Sequence, residues 1–182
     1  MNAGLAFRNA ARFLPRLAVI LGLGGLVPAL ASPGIGSAAP AFRLQDQDEH
    51  WVSLADQAGH WVVVYFYPMD ETPGCTTEAC SFRDNIFAFR KLGVTVLGIS
   101  VQDVASKKKF AAKHSLPFPL LADTDKSVAK AYGVLSMLGW SNRETFIIDP
   151  SGKVAKHYPD VDPKAHSAQL LADLAKLVKP TT

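Results

Sequence analysis

Two cysteines, Cys75 and Cys80, are the only thiols in this sequence of 182 residues, and they lie five residues apart. They follow the apolar run 61–67, typical of a buried strand, and the pair Thr72-Pro73, typical of the start of a helix. A thiol in the first turn of a helix lies where backbone N–H groups and the helix dipole favour the thiolate. Because thiolate is the nucleophilic form, Cys75 is predicted to be reactive rather than a small buried hydrophobe.

The spacing of the two cysteines limits how they can form a disulfide. Positions i and i+5 of an ideal helix have Cα atoms about 8–9 Å apart, whereas a disulfide tolerates at most about 7 Å. Cys75 and Cys80 therefore either never pair or pair only when the first turns of the helix unwind. The second alternative is a redox cycle coupled to local unfolding. A static structural disulfide would gain little from so short a loop.

The elements around the cysteines alternate between strands and helices. The pattern predicts an N-terminal β-hairpin, then strand, helix, strand and helix, then a short strand, a second hairpin and a last helix. This order resembles the thioredoxin-like fold: an α/β arrangement with a central mixed β-sheet flanked by helices. The predicted segments are 41–44, 50–54, 61–67, 73–91, 94–100, 103–114, a strand ending near residue 121, 144–149, 153–158 and 163–178.

Several charged residues in these elements favour structural interpretations. The lysines at 107–109 and 113 are predicted to form a solvated helix face, and the acidic residues of 123–125 to cap a helix rather than bind metal. Glu78 is interpreted as a carboxylate favoured by the helix dipole, with a place in the reactive pocket as the alternative. The five histidines show no ligand spacing, so neither a metal nor another cofactor is predicted.

The first 31 residues are predicted to be a secretory signal peptide. Three arginines precede the apolar run 17–31, which is shorter than the roughly 20 residues that a spanning helix needs. Cleavage is predicted after Ala31, with Ala39 as a second candidate, and a retained membrane anchor or an organellar transit peptide is less favoured. Residues 32–40 are predicted to be a flexible linker, and 41–182 the folded domain. Export, for example to a bacterial periplasm, would place the thiols in an oxidising compartment.

The net charge gives no indication of a nucleic-acid partner. The formal charge of +3 comes from the arginines of the leader, and the remainder carries 16 acidic residues and as many basic ones. A balanced domain has no excess positive charge for nucleic acid or acidic lipid.

The segments around the cysteines resemble the peroxiredoxins, specifically the bacterioferritin-comigratory (Q-type) subfamily with two cysteines in one chain. The resemblance covers the chain from about residue 41 onward, and its most specific part is Pro-x-x-x-Thr-x-x-Cys followed by a cysteine five residues later. The segments that carry it are Tyr67-Pro68, 72–80, 82–84, 97–100, 118–123 and 143–149.

This resemblance implies a thiol peroxidase that reduces hydrogen peroxide and organic hydroperoxides. Cys75 would be the peroxidatic cysteine and Cys80 the resolving one. Thr72 would hydrogen-bond the peroxide, Pro68 would shield the pocket, and Arg143 would hold the thiolate and the reacting oxygens. A thioredoxin-like or other dithiol reductant would recycle the enzyme. Because both cysteines are in one chain, a monomer or weak dimer would suffice.

Two rival functions on the same fold are weaker. An exported thiol–disulfide oxidoreductase would normally carry Cys-x-x-Cys, whereas four residues separate Cys75 from Cys80. A copper-binding assembly factor would need Cys-x-x-x-Cys and a distal histidine. A purely structural role for the cysteines ranks last.

Overall fold

A seven-stranded mixed β-sheet lies at the centre of the chain in the computed structural model, which describes Met1 and residues 32–178. The strands are β1 (Arg43–Gln45), β2 (Trp51–Ser53), β3 (Trp61–Phe66), β4 (Val94–Ser100), β5 (Leu120–Ala122), β6 (Glu144–Ile148) and β7 (Val154–Tyr158). The helices are α1 (Pro73–Lys91), α2 (Val104–His114), α3 (Ser127–Ala131) and α4 (His166–Leu177), with a 3₁₀ turn at Ala55–Gln57.

The strand order is β2-β1-β5-β4-β3-β6-β7. The central strands β3, β4 and β5 are parallel, whereas β6 and β7 on one side and β1 and β2 on the other pair antiparallel. The predicted α/β fold, with a mixed sheet and an N-terminal hairpin, is confirmed. It is the thioredoxin-like arrangement.

Alternate residues of each central strand enter two separate cores. In β3, Val63 and Tyr65 pack with α1, α2 and α4 on one face, and Val64 and Phe66 pack with α3 on the other. All four of these side chains are buried, as expected for strands covered on both faces. Both buried cores therefore adjoin the strand that leads into the loop between β3 and α1.

Helix α3 and one lysine of α2 are the main points to compare with the prediction. The predicted element order left out the five-residue α3, but the helix that residues 123–125 were predicted to cap is present. The Asp123 carboxylate accepts hydrogen bonds from the backbone N–H groups of residues 128 and 129. The prediction that Lys107 faces solvent is wrong: Lys107 is fully buried, whereas Lys108, Lys109 and Lys113 are exposed. The buried lysine has an acidic partner from a distant part of the sequence.

The segment predicted to be a linker lies against β7. The backbone N–H of Gly36 donates to the Val154 carbonyl at 2.7 Å, and the N–H of Ala39 donates to the Gly152 carbonyl at 2.9 Å. These bonds form because the edge strand β7 has unpaired backbone groups that a second extended segment can satisfy. The folded unit therefore extends N-terminal to the predicted boundary at residue 41. The predicted signal peptide and its cleavage site at Ala31 lie outside the described residues.

Within residues 32–178, no helix combines the length and the hydropathy that a membrane crossing requires.

Candidate active site

The loop between β3 and α1 places the first cysteine beyond the carboxyl end of β3. Strand β3 ends at Phe66, and α1 begins at Pro73 with Thr72 as its N-cap residue, as predicted. The Thr72 side chain does not cap the helix, because its hydroxyl donates to the carbonyl of Met69 at 3.1 Å. The first N–H groups of α1 therefore have no side-chain partner at Thr72 and can interact with an anion.

Cys75 lies in the first turn of α1 and is 1% exposed. Its sulfur accepts a hydrogen bond from Nη2 of Arg143 at 3.3 Å. Antiparallel pairing places Glu144, the first residue of β6, opposite Phe66, the last residue of β3. Arg143 directly precedes β6, so the sheet register brings it to the start of α1 across 68 positions of sequence. The guanidinium and the first N–H groups of α1 are thus both directed at this sulfur.

Glu78 completes an ion pair with Arg143 inside this site. It lies three residues after Cys75, hence on the same face of α1, and its carboxylate accepts a hydrogen bond from Nη1 of Arg143. Burial raises the pKa of Glu78 to about 7, although the neighbouring guanidinium acts in the opposite direction. The interpretation of Glu78 as a dipole-favoured carboxylate outside the pocket is wrong, because its side chain is buried against Arg143.

Gly74 leaves the space that the Arg143 side chain occupies. A Cβ atom at position 74 would lie 3.1 Å from Nη2 of Arg143, a spacing at which the neighbour must move by a few tenths of an ångström. The sequence shows Gly74 within the motif, but it gives no indication that the glycine makes room for a residue of another strand.

The second cysteine lies two turns into α1, which is continuous from residue 73 to residue 91. Cys80 is half-buried, and neither cysteine forms a disulfide. Beyond this point α1 is held by α4, since the hydroxyls of Ser81 and Ser167 lie 2.5 Å apart and Asn85 donates to Ser167 at 3.1 Å. After Cys80 the helix is therefore attached to α4 by side-chain hydrogen bonds, whereas before it the contacts run to Arg143.

The remaining predicted site residue, Pro68, is half-buried in the loop between β3 and α1. Of the five predicted residues, the structure joins Cys75 and Arg143 by a direct contact, and Thr72, Pro68 and Cys80 lie on the same loop and helix.

A buried histidine bonds to the strand that follows Arg143. Nε2 of His166, at the start of α4, lies 2.9 Å from the hydroxyl of Thr145, which is two residues after Arg143. Burial lowers the pKa of His166 to about 4, so the ring is neutral at neutral pH. The histidine thus links β6 to α4 without adding a charge beside the guanidinium.

Among residues 32–178, no group of three or more histidine, cysteine, aspartate or glutamate side chains has the geometry to hold a metal ion.

Several known proteins have sequences related to this one. Residues 35–157 match the model of the AhpC/TSA family. Peroxiredoxin Q of Oryza sativa subsp. japonica, a chloroplastic protein, is 47% identical over 145 residues, which are 78% of this chain and 67% of the relative. The putative peroxiredoxin bcp of Coxiella burnetii is 41% identical over 147 residues, which are 77% of this chain and 97% of the relative.

Solved structures of peroxiredoxins also resemble this chain. Peroxiredoxin Q of Xanthomonas campestris superposes with a TM-score of 0.73 at 35% identity, covering 76% of this chain and 92% of that one. Peroxidoxin BcpB of Mycobacterium tuberculosis superposes with a TM-score of 0.75 at 34% identity, covering 80% and 98%. The chain therefore belongs to the AhpC/TSA family and is a peroxiredoxin of the Q (bacterioferritin-comigratory) group, an enzyme of the thiol peroxidase class.

Proposed function

We propose that this peroxiredoxin reduces hydrogen peroxide and organic hydroperoxides through a cycle in which Cys75 is oxidised first and Cys80 then resolves it. The observation that carries the proposal is the hydrogen bond from Arg143 to the sulfur of Cys75 in the first turn of α1. A solved bacterioferritin comigratory protein of Xanthomonas campestris, 35% identical to this chain, is described by its alkyl peroxide reduction activity, which supports including organic substrates.

In the first step, the Cys75 thiolate attacks one peroxide oxygen in line with the O–O bond. The S–O bond forms as the O–O bond breaks, and the departing hydroxide or alkoxide takes up a proton to leave as water or an alcohol. Negative charge moves from sulfur to the leaving oxygen, so donors fixed around that oxygen lower the barrier. Arg143 supplies two donor nitrogens in one plane, which suits a charge shared by two atoms. The product is a sulfenic acid at Cys75.

The loop before α1 supplies the other proposed contacts. Thr72 places a hydroxyl one turn before the thiolate. Its oxygen can accept a hydrogen bond from the peroxide O–H while its own O–H continues to donate to the Met69 carbonyl. Pro68 has no N–H, so it can limit water access without adding a donor that would compete for the oxyanion.

In the second step, the Cys80 thiolate attacks the sulfur of the Cys75 sulfenic acid. The S–S bond forms as the S–O bond breaks, and the departing hydroxide takes up a proton to leave as water. Both cysteines lie in a continuous helix, where positions five apart have Cα atoms about 8–9 Å apart. The first two turns of α1 must therefore unwind, which breaks the Glu78–Arg143 ion pair. A dithiol reductant, thioredoxin-like in the simplest case, then restores both thiols.

The compartment belongs to the same proposal. The leader predicted from residues 1–31 supports export, and the reductant would then be a dithiol protein of that compartment, such as a bacterial periplasm. Chloroplastic relatives indicate that an organellar transit segment is the alternative.

The test is stopped-flow oxidation of reduced protein by hydrogen peroxide and by cumene hydroperoxide, with mass spectrometry of the sulfur species. Wild type should consume one equivalent of peroxide rapidly, and Cys75→Ser should consume none because a hydroxyl is a far poorer nucleophile at neutral pH. Turnover by Cys75→Ser would refute the assignment. Insulin reduction in parallel tests the rival thiol–disulfide oxidoreductase, which would reduce insulin in preference to consuming peroxide.

A further inference from the structure

A buried ion pair outside the reacting atoms holds the loop that leads into α1. The ammonium of Lys107, on α2, lies 3.1 Å from each carboxylate oxygen of Asp70, and both side chains are almost completely removed from solvent. Asp70 is midway along the loop that carries Pro68 and Thr72. Taking two charges out of water costs more free energy than their attraction usually returns. A contribution to stability is therefore not enough to explain why the chain buries this ion pair.

Hydrogen bonds from three elements fix the pair in one geometry. One oxygen of Asp70 accepts the hydroxyl of Tyr67, at the end of β3, at 2.7 Å, and the other accepts the hydroxyl of Ser106, on α2, at 2.6 Å. Lys107 also donates to the hydroxyl of Ser100, at the end of β4. The carboxylate cannot shift without leaving a buried donor unpaired, which costs free energy.

Helix α2 holds the same loop at a second point. Glu71 has a left-handed backbone (φ 64°), which costs free energy for a residue other than glycine and persists only where its surroundings impose it. Its carboxylate is 2.5 Å from the ammonium of Lys113 and 3.6 Å from the ring of His114, both at the end of α2. Two successive residues of the loop are thus held by the two ends of one helix.

The charge state of the pair changes at mildly alkaline pH. Burial lowers the pKa of Lys107 to about 8, while the opposite charges of Asp70, Asp103 and an ionised Cys75 act to raise it. The ring of Tyr67, 5.0 Å from the ammonium, is the other titratable group that faces it, and burial raises its pKa well above the ordinary value. At neutral pH the ion pair is therefore intact, and above about pH 8 Asp70 loses its counter-charge.

We propose that Lys107 is a positioning residue for peroxide reduction: it fixes Asp70, and through Asp70 the loop that places Thr72 and Pro68 beside Cys75. The inference rests on the proposed function. Lys107 touches neither Cys75 nor Arg143 among the contacts of the described residues, so its effect passes through the loop.

The experiment compares two electrophiles on reduced Lys107→Met. Attack on hydrogen peroxide needs an oxygen held by the loop, whereas alkylation by iodoacetamide needs only an accessible thiolate. We expect the second-order rate constant for peroxide to fall at least 10-fold and that for iodoacetamide to stay within 2-fold, since misplacement by about 1 Å can cost 10²-fold. Lys108→Met, an exposed change on the same helix, is the matched control and should change neither rate.

The pH profile provides a second readout. In wild type the ratio of the peroxide rate to the alkylation rate should decline above about pH 8, and in Lys107→Met the ratio should not depend on pH. Equal falls in both rates would show that Lys107 acts on the thiolate itself, and an unchanged peroxide rate would show that it does nothing to the reaction. Either result overturns the proposal.

A milder variant decides the matter if Lys107→Met does not fold. Ser106→Ala removes one hydrogen bond to Asp70 and creates no unpaired charge, so it should lower the peroxide rate several-fold with alkylation unchanged. An unchanged peroxide rate there overturns the inference. A wild type that is not oxidised by any peroxide would instead refute the proposed function itself, and this inference with it.

Discussion

Replacing Glu78 with glutamine should change how the stability of the reduced enzyme depends on pH. The carboxyl of Glu78 has its pKa raised from 4.5 to about 7, chiefly by burial. The folded state therefore binds this proton more tightly than the unfolded chain, so the contribution to stability is fully present below pH 4.5 and is lost as pH rises through 7. The difference in pKa corresponds to about 3 kcal/mol.

His166 acts with the opposite sign over nearly the same range. Burial lowers its pKa from 6.5 to about 4, so its contribution is present above pH 6.5 and is lost as pH falls through 4. This effect is also about 3 kcal/mol. The two groups should nearly cancel in wild type between pH 4.5 and 7. In Glu78→Gln only the histidine remains, so stability should increase with pH over this range.

The assay is urea denaturation of reduced protein, followed by tryptophan fluorescence, at several pH values from 4.5 to 8. Between pH 4.5 and 8, the free energy of unfolding of Glu78→Gln should rise by about 3 kcal/mol more than that of wild type. This holds even if the two proteins differ in stability at pH 4.5. Glu49→Gln, at an exposed glutamate, is the control and should give a curve parallel to wild type. A parallel curve for Glu78→Gln would show that this carboxyl titrates normally and would refute the reasoning.

Three other changes test the site. Arg143→Lys should slow the first oxidation about 100-fold in stopped flow, because an ammonium lacks the planar fork whose two nitrogens donate separately to Cys75 and Glu78. A rate within 3-fold of wild type would argue against a role for the guanidinium. Gly74→Ala should lower that rate about 10-fold, since the new methyl displaces Arg143. Its melting temperature should be unchanged or higher, because alanine favours the helix, and a large loss of stability would contradict this. Cys80→Ser should still form one sulfenic acid but stall with a dithiol reductant, whereas normal turnover would show that the reductant attacks Cys75 directly.

Local sequence signals predicted the helix that carries Cys75. Thr72-Pro73 marks a helix start and Gly93 a helix stop, and α1 runs from Pro73 to Lys91. The apolar run 94–100 coincides with β4. The five-residue α3 was indicated only by the acidic residues before it. It is too short for a hydrophobic repeat, and its N-cap residue, Lys126, is not a capping type and is left-handed (φ 63°).

Charged residues with distant partners were the part that the sequence could not predict. Lys107 follows the pattern of an exposed lysine run, yet its partner Asp70 lies 37 positions earlier. Glu78 fits a surface carboxylate until Arg143, 65 positions later, is brought beside it by the β3–β6 register. Burial of a charge depends on such a partner, and its position is set by strand order rather than by local pattern. The role of Arg143 came from the family resemblance for the same reason.

The contact of residues 36–39 with β7 also determines how the enzyme could be immobilised. These residues bond near Gly152 and Val154, and the neighbouring strand β6 ends there at Ile148, which pairs with Val62 at the start of β3. Cys75 follows the other end of β3. A bead, an electrode or a carrier protein joined just before residue 32 would therefore attach at the opposite end of the sheet. Access of peroxide and reductant to the cysteines should remain open in such a conjugate.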